Sequence, residues 1–337
     1  MRIKNYDIIP NDEVLRYYFY FMQERMKIFW NRCYSSFPLT KDPILAKYKF
    51  TNVYRACDRV SQYLISHVIY STDSVVNERD LLLQILVFKI FNKIETWEYL
   101  MHEYGPITVS NFNVAKISKL LTLRQQSYPI FSNAYMMTGT HKRYDHLTTK
   151  HEKWLTMVKE EFLDGNIVDK ILYSNSLEDI YNLLHKCSFI GSFLAYQYAI
   201  DFNYSSIFNF DENSFVRAGI GAIRGIKKCF HSYGKNYEDA IFYVHENIDE
   251  LRSKYGYSDF KPIPAHQPTL LDLQNCFCET DKYLRAKLPE LKVGNVRIKQ
   301  IYHPSPSPIV LTFPPKWGIT EMNNVCTQPS LKESILF

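Results

Sequence analysis

Two adjacent acids, Asp211 and Glu212, stand among aromatic residues in the segment NFDENSF and are the first candidates for chemistry. A carboxylate in such a setting can stabilise a developing positive charge, or it can orient and deprotonate a nucleophile. Asp211 is the favoured catalytic group, and Glu212 and Asp201 come next. The structural alternatives are a helix N-cap for Asp211 and a structural acid near a helix end for Asp201.

A glycine turn precedes these acids in the segment HKCSFIGSFLAYQYA, where one predicted helix ends near 185–187 and the next begins near Ser192. Because Gly191 has no side chain, a phosphate can approach the backbone there. The unpaired N–H groups of the next helix's first turn can then bind it. We therefore predict that Gly191 and Ser192 contact a nucleic-acid backbone. By itself, however, the stretch favours an ordinary turn between two helices.

A second glycine-rich segment, RAGIGAIRGIKKCF, lies just downstream. Its third glycine is one position late for a dinucleotide-binding fingerprint and no strand pattern precedes it, so a Rossmann fold is rejected. Two interpretations remain open, a second binding site for backbone phosphates and a solvated basic helix face. The residues that would contact phosphate are Gly219, Gly221, Arg224, Lys227 and Lys228.

Further polar side chains interrupt apolar helical patterns. The stretch FTNVYRACDRVSQYLISHVIY predicts a helix over 51–70 with Asn52, Arg55 and Arg59 along one stripe. Asn side chains both donate and accept hydrogen bonds and can therefore read the edge of a base. Taken singly, such residues are explained by helix caps and salt pairs. Together they form a predicted base pocket, which consists of Asn52, Arg55, Asp58, Arg59, Asn92, Tyr135 and Asn275.

The elements that must position these groups are predicted to be helices nearly throughout. Capping residues and apolar spacing predict helices over 12–32, 51–70, 77–104, 111–124, 145–165 and 176–186, with another from 192. We expect one compact helical body over 1–300, in which 176–230 holds the hairpin and the catalytic segment. The Pro-rich residues 301–337 are expected to form an extended C-terminal strap.

Composition fits a globular protein, and its mild positive charge permits a polyanionic partner without requiring one. The 337 residues are 46% hydrophobic and 22% charged, with a net charge of +5. The aromatic content of 15% suits either a ring-rich core or a surface where bases stack. Seven scattered Cys without a Cys-x2-Cys pair predict free thiols in a reducing cytoplasm and no metal site. No signal peptide or membrane-spanning run is found, and we expect no cofactor and no obligate protein partner.

The blocks FTNVYRACDR, FKIFNKIETWE, PIFSNAYMM, AGIGAIRGIKKCF and LQNCFCETDKYLR occur here in that order. Over about 48–285 the chain resembles the family that groups α-glutamyl/putrescinyl thymine pyrophosphorylases with helical domains of 5-hydroxymethyluracil DNA kinases. The segment 187–216 also resembles the signature of helix-hairpin-helix DNA glycosylases, whose essential Asp follows the hairpin by the 20 residues that separate Gly191 from Asp211. It departs where Ser188-Phe189 replaces Pro-Gly. The resemblance implies an all-α, two-lobed, glycosylase-like fold.

The same resemblance implies two enzymatic functions on double-stranded DNA with modified bases. The preferred one is a monofunctional glycosylase that flips and excises glucosylated 5-hydroxymethylcytosine from phage DNA as antiviral defence, leaving an abasic site. Phe193 occupies the position where strand-cutting relatives carry Lys. The alternative is a transferase that modifies a 5-hydroxymethyl pyrimidine with an amine or amino acid. A catalytically silent DNA-binding module is the third reading. The sequence contains no Gly-x4-Gly-Lys-Ser/Thr loop for nucleotide binding.

Overall fold

The computed structural model describes residues 7–34, 36–71, 77–133, 137–291, 300–302 and 311–319. Within these ranges the chain is mostly helical, and its one sheet has two strands. The predicted helical class is therefore confirmed, whereas the helix-hairpin-helix fold stays a prediction. None of the described helices combines the length and the apolar character that crossing a membrane requires.

The helices are numbered in chain order. They are α1 (Asp12–Cys33), α2 (Pro43–Lys47), α3 (Arg59–Tyr63), α4 (Glu78–Phe91), α5 (Ile94–Glu103), α6 (Val114–Gln125), α7 (Lys150–Met157), α8 (Ile167–Leu172), α9 (Leu177–Leu184), α10 (Ser192–Asn203), α11 (Ile220–Cys229), α12 (Tyr237–Glu246), α13 (Ile248–Lys254) and α14 (Leu270–Lys287). Short 3-10 turns span Arg55–Cys57 and Pro315–Trp317, and π-helical turns span Leu64–Ile69 and Val158–Leu163.

The chain folds as two compact units, of which the first comprises residues 1–58 and 215–337. Helix α14 is its central element, since both its apolar side and much of its polar side are buried. Tyr18 of α1 stacks on Phe277 of α14, with ring centroids 4.2 Å apart. The strands β1 (Ile8–Pro10) and β2 (Phe230–Tyr233) pair antiparallel beside these helices.

The second unit comprises residues 59–214 and contains α3 to α10. Helix α4 is buried on almost every side and forms its core. The helices α9 and α10 form the predicted hairpin, and its turn is fixed at Phe189, whose φ of 68° is left-handed. The Phe189 ring packs on Trp154 at 5.1 Å, and Ser188 donates two hydrogen bonds to Glu161. Packing on the rest of the unit therefore holds this turn in place.

Helix starts agree with the predictions better than helix continuity does. Asn77 caps α4 by accepting from Asp80 N–H, and Ser176 caps α9 by accepting from Asp179 N–H. The predicted helix 77–104 is broken, however, because Asn92 adopts a left-handed conformation (φ 46°) between α4 and α5. This is a common helix ending for Asn, whose short polar side chain tolerates positive φ.

The predicted helix over 51–70 is wrong in its first half and confirmed as helical over 59–69. Its first part is a loop with a 3-10 turn, and the π-helical turn follows α3 directly. The boundary between the two units falls within it, after Asp58. Asn52 and Arg55 therefore do not share a helical stripe with Arg59.

Only parts of the predicted C-terminal strap lie within the described residues. Ile301 forms an isolated antiparallel bridge with Tyr48, and Trp317 stacks on His266 at 3.8 Å. Residues 303–310 and 320–337 lie outside the described ranges, so the strap as a whole stays a prediction.

Candidate functional site

A loop of the first unit, residues 51–58, is organised around Asn52. The backbone N–H of Asn52 donates to Asp58 Oδ1 at 2.9 Å, and its side-chain amide donates to the carbonyl of Cys57 at 2.9 Å. Arg25 of α1 donates to Asn52 Oδ1 at 3.0 Å. Both ends of the Asn52 amide therefore shape the loop, which makes Asn52 a positioning residue.

Helix α14 supplies the facing side of this cluster. Asn275, Glu279 and Lys282 follow at spacings of four and three and so share one helix face. Asn275 Nδ2 donates to Thr51 Oγ1 at 3.0 Å, and Thr51 N–H donates to Glu279 Oε2 at 3.1 Å. Lys282 Nζ lies 2.7 Å from Glu279 Oε1. We call the set Arg25, Thr51, Asn52, Asp58, Asn275, Glu279 and Lys282 the polar cluster.

The electrostatics of the polar cluster favour proton exchange at Asp58. Burial raises the pKa of Asp58 to about 6, and the charge of Glu279 adds to the rise. The hydrogen bond from Asn52 and the charge of Arg25 act in the opposite direction. Burial lowers the pKa of Lys282, but its ion pair with Glu279 outweighs this, so the pKa stays above its usual value.

Two atoms of the polar cluster remain open for a ligand. Among the described residues, Asp58 Oδ2 and Asn275 Oδ1 have no hydrogen-bond partner. Both side chains belong to half-buried residues, so solvent and small groups reach them. A carboxylate with a pKa near neutrality beside an open amide oxygen can accept a proton and a hydrogen bond from one ligand.

A neighbouring buried acid fixes the loop to α14. Asp272 Oδ1 accepts a hydrogen bond from Arg55 N–H at 2.9 Å. Its Oδ2 accepts from the backbone N–H and from the hydroxyl of Thr269, which form a capping box with it at the start of α14. Burial raises the pKa of Asp272 to about 6. Arg55 is itself buried, with 5% of its surface exposed. Both residues act as supports, and Arg55 is not displayed to solvent.

The remaining residues of the predicted pocket lie elsewhere. Arg59 and Asn92 belong to the second unit. Arg59 forms an exposed ion pair with Glu95 at 3.7 Å, and the buried Asn92 accepts from Lys89 Nζ at 2.8 Å. Tyr135 lies outside the described residues. Of the seven predicted residues, the polar cluster brings together Asn52, Asp58 and Asn275.

The three acids predicted for catalysis have different environments in the second unit. Asp211 is exposed, and its Oδ1 accepts from Asn213 N–H at 2.8 Å in a local turn. No α-helix begins there, so the alternative of an N-cap is wrong. Glu212 is 8% exposed. Asp201 is fully buried, 3.4 Å from Lys89 Nζ, which agrees with the alternative of a structural acid.

At the hairpin, Gly191 is the N-cap of α10 and has an ordinary extended backbone. A Cβ placed there would meet no atom within 4 Å. Ser192 is exposed, and its hydroxyl lies 3.1 Å from His185 Nε2. The open space at Gly191 is compatible with phosphate approach, which stays a prediction.

The second glycine-rich segment has a packing role in the first unit. A Cβ on Gly221 would lie 2.3 Å from Cys278 Sγ, and one on Gly225 would lie 2.1 Å from the carbonyl oxygen of Phe277. These two glycines therefore let α11 pack closely on α14. Gly219 caps α11 and is buried too.

Two cations of that segment are paired with a buried acid, Asp281. Lys228 Nζ lies 3.0 Å from Asp281 Oδ1, and Arg224 Nε lies 3.2 Å from Asp281 Oδ2. Arg285 also pairs with this carboxylate. Since Lys228 is 2% exposed, it does not face solvent where a phosphate would bind, whereas Lys227 is exposed.

Sequence reasoning missed Arg25, Thr51 and Asp272. Arg25 lies in an aromatic stretch of α1, and a charged residue amid FYFMQERMKIFW was the available signal. Thr51 and Asp272 looked like ordinary loop and cap residues, and only their contacts give them a place beside the cluster.

Comparison with known proteins identifies the family. Residues 12–293 match the family model described as the 5-hmdU DNA kinase, helical domain. The chain belongs to this family. It is 23% identical over 287 residues to the 5-hmdU DNA kinase of Bacillus phage SP10, an alignment that covers 79% of this chain and 44% of that protein. The chain thus spans less than half the length of this curated relative. No solved structure matches it.

Family membership overturns the preferred function from the sequence. The matching relative is a kinase, and a kinase is a transferase, so the interpretation as a monofunctional glycosylase that excises a base is wrong. The alternative, a transferase that acts on a modified pyrimidine in DNA, agrees better with the 5-hmdU family. The matched range contains every residue of the polar cluster.

Proposed function

We propose that this chain binds a 5-hydroxymethyl pyrimidine in DNA and promotes group transfer at its hydroxymethyl group, with the polar cluster as the site. The match to the 5-hmdU DNA kinase helical domain carries this proposal. Enzymes that modify a base must take it out of the stack. The half-buried Asp58 and Asn275 offer such a base an acceptor pair on the first unit.

Asp58 is the catalytic residue in this proposal. Its open Oδ2 accepts the proton of the hydroxymethyl oxygen, and that oxygen attacks the terminal phosphorus of a nucleoside triphosphate as the bond to the leaving diphosphate breaks. A pKa near 6 leaves Asp58 mostly ionised at neutral pH and still basic enough to assist. Asn275 Oδ1 accepts from the N3–H of a uracil-type base, while Arg25 and Asn52 hold the loop in position.

A second class of donor, an amine or amino acid, is compatible with the same proton acceptor. In that case an amine or amino acid attacks the methylene carbon of a base whose hydroxyl already carries a pyrophosphate leaving group. Asp58 then takes the proton from the attacking amine. Both reactions use the same site and the same proton acceptor, but the second begins with a base that already carries pyrophosphate.

We also infer that the hairpin of α9 and α10 contacts the DNA backbone. Support comes from the open space at Gly191 and the exposed hydroxyl of Ser192 at the start of α10, where helix geometry directs N–H groups outward. Exposed Lys227 of α11 offers a cation in the first unit.

The test compares duplexes that are identical except for one thymine, 5-hydroxymethyluracil or 5-hydroxymethylcytosine. Each duplex is incubated with ATP labelled at the terminal phosphate, the DNA is digested to nucleosides, and their masses are measured by mass spectrometry. We expect tighter binding and phosphate label only with hydroxymethylated duplexes. A parallel reaction uses labelled putrescine or glutamate and pyrophosphorylated hydroxymethyluracil DNA.

Alkali treatment of all products provides the control for base excision. We expect no strand breaks, since no abasic site forms. Equal binding of thymine and hydroxymethyl duplexes, without any label transfer, would refute the proposed function.

A further inference from the structure

One segment of the second unit combines cations with a lack of acids. All 35 acidic residues lie outside 104–144, whereas Lys116, Lys119, Arg124, Lys142 and Arg143 lie within it. The helix α6 is at the centre of this segment. Arg143 is paired with Glu160 and Glu161, so the cations of α6 carry the positive potential of this segment, which attracts polyanions.

The cations of α6 face solvent on one side. The helix buries Ile117 and Leu121, while Lys116 and Lys119 stand exposed on the remaining surface. Among the described residues, neither lysine nor Arg124 forms an ion pair. Their charge is therefore not neutralised within the described part of the chain.

Aromatic rings accompany these cations. Arg124 lies over the rings of Tyr99 and Tyr128, 4.9 and 4.4 Å from their centroids. Lys116 Nζ lies 4.8 Å from the ring centroid of Tyr104. Tyr128 is 56% exposed, so its free edge and face are available to a ligand. Cations held on tyrosine rings have restricted positions, which lowers the entropy lost when they bind phosphate.

An open groove follows the same side of the helix. Its lining residues are Lys116, Lys119, Leu120, Thr122, Leu123 and Gln126. Leu123, which is 59% exposed, adds an apolar side chain to this groove. From Lys116 to Arg124 the helix rises about 12 Å, enough to follow more than one phosphate of a nucleic-acid strand.

We propose that this face of α6, which we call the α6 face, is a binding surface for the DNA backbone, separate from the polar cluster. This inference rests on the proposed function only in taking DNA as the substrate. The α6 face contacts phosphates and therefore does not distinguish a hydroxymethylated from an unmodified base. Its contribution is affinity and placement along the strand.

The test is a charge reversal, Lys116→Glu with Lys119→Glu. The matched control reverses two lysines on other surfaces of the same unit, Lys159→Glu with Lys170→Glu, so both proteins carry the same net charge. Affinity for a modified and for an unmodified duplex is measured across a salt series. We expect the α6 variant to bind both duplexes at least about 10-fold more weakly, with a salt slope smaller by about 2, and the control to stay within about 2-fold.

A gain-of-function variant protects this test against misfolding. Leu123→Lys adds a cation to an exposed position, so we expect tighter binding and a salt slope larger by about 1. Equal losses in the α6 variant and the control would show an effect of net charge alone and would overturn the proposal. Unchanged DNA binding would overturn it as well and would point to an acidic protein as the occupant.

A loss confined to the modified duplex would also sink the inference, since it would assign base recognition to the α6 face. These readouts need no catalytic turnover. Failure of the proposed function would abolish label transfer and the preference for hydroxymethylated DNA, yet leave the salt dependence of both duplexes measurable.

Discussion

The acids of the two units differ in what surrounds them, although sequence reasoning assigned chemistry to both units. In the first unit, Asp58 is half-buried among side chains from three separate segments, and its pKa is raised to about 6. In the second, Asp211 is exposed, and within the described part of the chain its hydrogen bonds stay in its own turn. The 20-residue interval from Gly191 suggested Asp211 as the catalytic acid. The pKa of a carboxylate changes, however, only when residues from distant segments surround it.

The largest expected effect concerns buried acids that hold cations. Asp281→Ala in the first unit leaves Arg224, Lys228 and Arg285 around a lost carboxylate, and we expect a loss of about 3–5 kcal/mol in the free energy of unfolding. Asp201→Ala leaves Lys89, which still donates to Asn92, so we expect a smaller loss of about 2–3 kcal/mol.

Urea unfolding of both variants checks this ranking. A loss below about 1 kcal/mol for Asp281→Ala would contradict the view that α11 and α14 are joined through this acid.

The second expected effect is on group transfer. Asp58→Asn removes the proposed proton acceptor but keeps the oxygen that bonds Asn52, so transfer should fall about 100-fold while DNA affinity changes less than about 3-fold. The matched variant Asp211→Asn should retain transfer within about 2-fold. Single-turnover label transfer and equilibrium binding measure the two quantities. A larger loss of transfer in Asp211→Asn than in Asp58→Asn would instead place the catalytic acid in the second unit.

Two glycines provide a third comparison. Gly225→Ala places a Cβ 2.1 Å from a backbone oxygen of α14, which cannot move aside, and we expect a loss of about 2–3 kcal/mol in stability. Gly191→Ala meets open space with an ordinary φ of −76°, so stability should change by less than about 0.5 kcal/mol.

DNA affinity separates the roles of these glycines further. If a phosphate approaches Gly191, the added methyl group weakens DNA binding without weakening the fold. Unchanged affinity in Gly191→Ala would remove the hairpin from the DNA surface.

The smallest expected effect is the dependence of stability on pH. The pKa of Asp58 is raised in the folded state, so protonated Asp58 stabilises the fold. This stabilisation is fully present at pH below the pKa of Asp58 in the unfolded chain, and it is lost as pH rises through about 6. Asp58→Asn lacks this loss. Relative to the original protein, the variant should therefore gain about 2 kcal/mol in free energy of unfolding between pH 4 and 7. Urea unfolding at both pH values measures the difference, and a constant difference would place Asp58 in an ordinary solvated environment.

Helix starts were predictable because their causes are local. Asn77 and Ser176 bond N–H groups three residues away, so a short stretch contains the whole interaction. The helix break at Asn92 was not predictable, because Asn is compatible with a helix interior as well as with a left-handed helix end. What decides is whether both flanking helices can bury their apolar sides, and this depends on residues far along the chain.

Only part of the candidate site was predicted, because some of its residues are close in sequence and others are distant. Asn52 and Asp58 lie close in sequence, but Asn275 reaches Thr51 across 224 positions. Nothing local distinguishes Asn275 from Asn92, which accepts from a buried lysine of its own helix.

The sequence by itself determined the helical class, the positions of several caps and, through ordered blocks across residues 48–285, the resemblance to the family that the comparison confirmed. The tertiary structure alone decided which polar residues meet and which glycines serve packing. The physical reason is that caps and periodicity are governed by neighbours within a few residues. The pKa of Asp58 and the contact of Gly225 with Phe277 arise only when distant segments are buried against α14.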